Sequence, residues 1–252
     1  MSGAGIDPAR SALAVAVLVA ITVLTVTIAG VRVRADAVIA VGRAAMQLVV
    51  VALVIAWVFE HSEGVVLYLG VMIVAATATS VRRIRCGVRL SPLVGLAIVI
   101  GATCAVVPVL ASGALAWRSE TIVPFAAQII GGSMTAASLT GARLRDDVAR
   151  DWGQIEAWLS IGATARQAVA GHGRIAASRA LIPAIDQTRS AGLVTLPGAF
   201  VGMLLGGASP AEAAEVQLLV LAGLLAAETV AAVLTVRLLS SWLGATRPEL
   251  VD

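Results

Sequence analysis

The chain is 252 residues long, with 59% hydrophobic residues, 13% charged residues and a mean hydropathy of +0.96. A water-soluble globule carries roughly 25% charged residues, so the composition excludes one and defines an integral membrane protein. All 18 basic residues are arginine; this surplus fits loops beside a membrane better than a nucleic-acid surface, and no nucleic-acid partner is expected.

Residues 1–10 lack the basic start and small-residue cleavage site of a secretory signal, so the apolar run from Ser11 reads as a retained span. Crossing a hydrocarbon core of roughly 30 Å takes about 20 apolar residues at 1.5 Å rise. Seven windows qualify: 11–30, 38–59, 64–80, 92–111, 122–140, 191–207 and 214–240. The expected fold is therefore all-α, a single polytopic domain over 1–252 in the plasma membrane, surrounded by lipid. Arginine-rich loops stay in the cytoplasm. Placing the N-terminus outside and the C-terminus inside puts Arg32 and Arg34, the Arg82 to Arg89 cluster, Arg143 to Arg189, Arg237 and Arg247 there together, and leaves Glu60, Glu63, Glu120, Glu212 and Glu215 outside.

Two ionisable groups fall within spans, Arg43 in the second and Glu228 in the seventh. A charge at mid-membrane costs roughly 2.5–3.5 kcal/mol on insertion scales, so Glu228 must be protonated, paired or wet, and Arg43 is a candidate partner. Cys86 and Cys104, one in a loop and one in a span, imply neither a disulfide nor a thiolate metal site. Glu60-His61-Ser62-Glu63 reads as a solvated turn in preference to a weak hold for a metal leaving the protein.

Span five carries Gln128, Gly131, Thr135 and Ser138 on one stripe, with Gly132 and Ser133 beside it. Such a polar and small stripe is either helix-helix glue or the wall of a substrate path. In span six, Leu196-Pro197-Gly198 predicts a kink, because proline removes a backbone donor and crowds the preceding turn. Gly198, Gly202 and Gly206 then form a bare face near Met203, serving a hinge or simple close packing.

Between spans five and six, residues 144–190 contain no spanning run. Val148, Trp152, Ile155, Leu159 and Ala163 recur at helical steps opposite Asp151, Glu156 and Arg166, which predicts an amphipathic helix on the cytoplasmic face. Gly162 reads as its stop and Thr164 as a new cap. A further break is expected at Gly171-His172-Gly173, with His172 a loop residue, followed by a helix that ends before Pro183.

Glu156-Ala157-Trp158-Leu159-Ser160-Ile161-Gly162-Ala163 resembles the Glu-Ala-Ala, three residues, Gly loop of ABC-transporter permeases. Together with Gly131-Gly132-Ser133-Met134, Arg179 to Pro183, and Gly192-Leu193-Val194-Thr195-Leu196-Pro197-Gly198 followed by Gly202, Gly206, Pro210, Ala213 and Gln217, the chain resembles the FetB-type permease family. That family is associated with iron export, and its plant relatives with aluminium tolerance. The resemblance implies a permease in which Glu156, Ala157, Trp158, Gly162 and Ala163 couple to a separate ATPase. It also implies two permeases working as a pair beneath two ATPases that hold ATP and Mg. Gln128, Ser133, Thr135, Ser138, Pro197, Gly198 and Met203 become candidates for the translocation path. The chain itself carries no phosphate-binding Gly-x-x-x-x-Gly-Lys-Ser/Thr loop and no lysine, so it is not expected to be an enzyme or to hold a cofactor. The other reading is a stand-alone secondary transporter using Glu228 in proton coupling. A hydrolase built on Ser133 would need a base within reach, and both histidines read as loop residues.

Overall fold

A computed structural model describes residues 7–31, 33–61 and 63–248. Arg32 and Ser62, read above as loop residues, and the first residues of the chain lie outside the described residues. The described residues are almost entirely helical, with one isolated bridge between Ala191 and Thr195.

They form two units, which divide at His61. The first is a hairpin of α1 (Pro8–Ile28) and α2 (Arg34–Glu60). Asp7 caps α1 by accepting the Ala9 N–H at 3.0 Å, satisfying one of the four donors that a helix start leaves free. Leu13, Leu18, Leu24, Leu48 and Leu53 are exposed, as suits helices that face lipid. Arg43 lies on α2 and is exposed.

The second unit contains α3 (Gly64–Ile84), α4 (Ser91–Ala111), α5 (Ser119–Arg150), α6 (Trp152–Ser160), α7 (Ala165–Ala168), α8 (Ala170–Ser190), α9 (Gly198–Leu205) and α10 (Pro210–Leu243). Its centre is α5, packed against α3, α4, α8 and α10. Small residues set the spacing, as they do where apolar solvent gives no incentive to hide large side chains. A Cβ on Gly101 would stand 2.8 Å from the Ala227 carbonyl oxygen of α10, and one on Gly141 would stand 2.6 Å from the Ile84 side chain of α3.

Among the described residues, six helices are long and apolar enough to cross a membrane: α1 to α5 and α10. The span expected over 191–207 is not one of them. Residues 191–197 form a compact turn in which the Gly192 N–H donates to the Thr195 carbonyl. Pro197, at φ −65° and ψ 153°, stands at the N-cap of α9 and starts that helix instead of kinking one. The eight residues of α9 rise only about 12 Å.

The chain's return is made by α8. Its N-terminal end lies at the C-terminal ends of α5 and α10, where a Cβ on Gly173 would stand 2.5 Å from Val236 and His172 meets Asp151. Its buried face, Gly173, Ala176, Ala180 and Ala184, packs along α5 and α10. Beyond the turn, α9 reaches Gln217, near the start of α10. Val236 and Gln217 are separated by roughly 28 Å of helix at 1.5 Å per residue, so α8 and α9 together climb the bundle antiparallel to α10.

The predicted break at Gly171-His172-Gly173 is therefore absent, and α8 continues through Pro183. Gly173 serves close packing on Val236, and tertiary contact outweighs the helix-breaking tendency of these residues. Arg174, Arg179 and Arg189 lie on α8, not in a loop, and Leu144 to Arg150 complete α5.

Candidate functional site

Two features of the second unit stand at opposite ends of α5, with roughly 35 Å of helix between Gln128 and Asp151.

The first is α6. Ile155 is fully buried, and Trp152 and Leu159 pack against the same core, as the helical spacing predicted. The opposite face holds Glu156, Ala157 and Trp158 in the open, Trp158 at 49% exposure and Ile161, just beyond the helix, at 77%. The helix ends in a Schellman turn. The Ala163 N–H donates to the Trp158 carbonyl and the Gly162 N–H to that of Leu159, each at 3.0 Å. Gly162 sits at φ +92°, a conformation that favours glycine. Thr164 then opens α7 with a capping box shared with Gln167. The result is a short, rigid knob with apolar side chains uncovered. Arg150 and Arg166 flank it in the chain, and Arg82, Arg83 and Arg89 belong to the α3–α4 connection, which meets the C-terminal half of α5 where Ile84 packs on Gly141.

Arg145 is missing from the sequence-derived candidates, although it is buried at the C-terminal end of α5 with Asp146 3.5 Å away. Cys86, in the α3–α4 turn, is buried too, and burial pushes its thiol pKa up, partly offset by its own backbone hydrogen bond and the Arg145 charge.

The second feature is an open cleft of about 740 Å³ between the N-terminal half of α5, α9 and the start of α10. Its polar lining is Glu120, Thr121 and Gln128, with Gly198, Met203 and Val216 opposite. Glu120 was read only as an acidic residue of an outside loop and Thr121 was not singled out, yet they stand eight and seven residues before Gln128, on the same side of α5. The first turn of α9 is held by Gln217, buried to 6% exposure, whose Oε1 accepts the Phe200 N–H at 3.2 Å.

The structure divides the polar stripe of α5. Gln128 faces the cleft, and Thr135, two turns on, is exposed with its hydroxyl donating to the Gly131 carbonyl. Ser138 points inward and donates to Ser80 of α3 at 2.9 Å, and Ser80 donates to the Met134 carbonyl. Ser133 is fully buried, and its hydroxyl has no partner among the described residues. Pro197 and Gly198 open α9 at the cleft edge and Met203 points into it. Glu228 is half-buried on α10 against Gly132, where a Cβ would stand 2.8 Å from its Oε1. Arg43 belongs to the first unit and Glu228 to the second. Among the described residues no cluster of three or more His, Cys, Asp or Glu residues is suited to hold a metal ion.

A profile of the family described as "Uncharacterised protein family (UPF0014)" matches residues 10–243, from α1 to the end of α10. The chain belongs to this family. It is 33% identical over 198 residues to "UPF0014 membrane protein STAR2" of Oryza sativa subsp. japonica, covering 78% of this chain and 70% of that protein. To "Protein ALUMINUM SENSITIVE 3" of Arabidopsis thaliana it is 31% identical over 200 residues, 79% and 73% of the two chains. To "Probable iron export permease protein FetB" of Escherichia coli it is 30% identical over 187 residues, 73% and 72%. No solved structure matches. The family read from the motifs is thus confirmed, and the chain is a multi-pass membrane protein.

Proposed function

We propose that this chain is the permease subunit of an ATP-driven exporter, with α6 as the point gripped by a separate ATPase. The observation that carries the reading is the knob itself: Trp158 and Ile161 exposed on a rigid turn at the arginine-rich end of the bundle. An exposed aromatic on a rigid element is the usual anchor of a protein interface. The arginine-rich helix ends at this side of the bundle support a cytoplasmic position, where ATP is. The return of the chain by α8 and α9 is compatible with an N-terminus outside and a C-terminus inside, and in this reading the cytoplasmic segment narrows to α6, α7 and the helix ends beside them.

The cleft lies at the other end, facing outward. With the Met203 thioether as a soft donor, Gln128 and Thr121 as neutral oxygen donors and Glu120 the one carboxylate among the described lining residues, it suits release of a divalent or chelated metal more than tight capture of a hard ferric ion. The name of the Escherichia coli relative supports iron as the substrate. A pair of permeases with two ATPases, which bind ATP and Mg, completes the machine.

The second reading, a proton-coupled transporter, draws on Glu228, which forms no ion pair within its own unit among the described residues. Inverted vesicles containing the chain, with and without its candidate ATPase, decide between the two. Iron uptake that requires ATP and the ATPase supports the permease. Uptake driven by a proton gradient without ATP supports the alternative.

A further inference from the structure

Asp151 closes α5 and opens α6, standing at the N-cap of the exposed helix. Aspartate at this position ordinarily accepts a backbone N–H of the helix it opens. Here it makes no such bond. Its carboxylate instead accepts from Nε2 of His172, 3.0 Å away and 21 residues on, in the first turn of α8. The His172 side chain is 14% exposed, and its other ring nitrogen, Nδ1, is buried without a partner among the described residues. A ring held at one nitrogen is a pivot: it fixes a distance and leaves an angle free.

The surroundings are tight. Gly173, the next residue, presses on Val236, and the Ala165 carbonyl at the start of α7 would lie 2.5 Å from a Cβ on Gly244. The start of α8 is thus wedged against α10 on one side and tied to α6 on the other. At its far end, α8 leads through the 191–197 turn to α9, which carries Gly198 and Met203 into the cleft.

We propose that the Asp151–His172 pair is the joint through which displacement of α6 moves α8, and so α9 at the cleft, which makes His172 a positioning residue for transport. The proposal rests on the reading of α6 as the ATPase contact. A push on Trp158 or Ile161 rotates α6 about Ile155, its one fully buried side chain. Asp151, at the root of the same helix, draws on the imidazole. Since α8 is pinned along α5 and α10 by alanines and a glycine, it slides more readily than it tilts.

The test uses inverted vesicles containing the full chain and its ATPase, with ATP and Fe²⁺ supplied from outside, Fe²⁺ as the probe and transport per ATP hydrolysed as the readout. His172→Ala and Asp151→Ala should each lower that ratio roughly tenfold, the factor that a hydrogen bond to a charged group supports, with complex assembly and the KM for ATP unchanged. His172→Gln, whose amide can donate in place of Nε2, should keep the ratio within about threefold of the wild type, and the double alanine variant should be no worse than either single one. Wild-type coupling in His172→Ala, additive losses in the double variant, or equal losses in His172→Gln and His172→Ala would each overturn the joint. If Glu156→Lys leaves the ratio intact, or the wild type shows no ATP-dependent transport, the reading of α6 fails instead.

Discussion

Gln217, on α10, accepts the backbone N–H of Phe200 at 3.2 Å and so caps α9 from another helix. The first turn of a helix needs acceptors for its free N–H groups, and Pro197 at the N-cap supplies none from its side chain. Because α9 has eight residues, it has little cooperativity of its own. Gln217→Leu should therefore destabilise α9 by about 1 kcal/mol, the usual value of a cap, and Gln217→Glu should retain most of it. Faster hydrogen exchange at 198–202 in the leucine variant alone is the expected result.

Gly101 and Gly132 are both close-packed, but against different kinds of atom. A Cβ at Gly101 would meet the Ala227 carbonyl and the Ala231 backbone, whereas one at Gly132 would meet the tips of Leu224 and Glu228. Backbone cannot swing away and side-chain ends can. Gly101→Ala should accordingly cost more, about 1–3 kcal/mol as for overpacked cores, and Gly132→Ala less. Thermal unfolding in detergent should rank the variants in that order. The opposite order would mean that Glu228 is held more rigidly than its half-buried position suggests.

Gly162, at φ +92°, is where an L side chain costs roughly 1–2 kcal/mol. Gly162→Val should disorder the end of α6 and abolish stimulation of the ATPase without affecting membrane insertion. Gly162→Asn, which tolerates the left-handed region, should keep about half or more of the stimulation. Stimulation measured in vesicles separates the role of this turn from that of Trp158, whose replacement by alanine should weaken ATPase binding with the turn intact.

Cys86 is buried, and burial raises its thiol pKa. Thiolate is the reacting form, so Cys86 should resist maleimide at pH 7 in the folded protein and react once denatured. Raising the pH should accelerate its labelling over a range above that of an ordinary cysteine. Arg145→Ala removes a cation that lowers this pKa, and should slow the reaction further at any given pH.

The buried face of α6, its glycine stop and the cap at Thr164 were legible because each depends on neighbours within a few residues. So were the long spans, whose apolarity is continuous. The 191–207 window misleads because its apolar residues are gathered for a turn and a cleft wall, and hydropathy does not register that Pro197 begins a helix. The continuity of α8 was hidden for the converse reason. Gly171, Gly173 and Pro183 are breakers in isolation, and only the contact of Gly173 with Val236 shows why a glycine is needed within the helix. Ser138 and Thr135 illustrate a finer limit: three residues apart, they share a stripe on a helical wheel, yet Ser80 draws one inward while the other stays outside. Asp151 and His172 carry no local sign of each other.

The course of α8 also bears on how the chain is made. Insertion machinery releases a segment into lipid when it is apolar enough, and α8, with Arg174, Arg179, Asp186 and Arg189, is not. Its groove is half formed by α10, which is synthesised after it. α8 must therefore wait at the membrane surface until α10 has crossed, and then enter against protein instead of lipid. Biosynthetic order and folding order are reversed over this stretch, and a nascent chain halted before α10 would leave α8 open to protease.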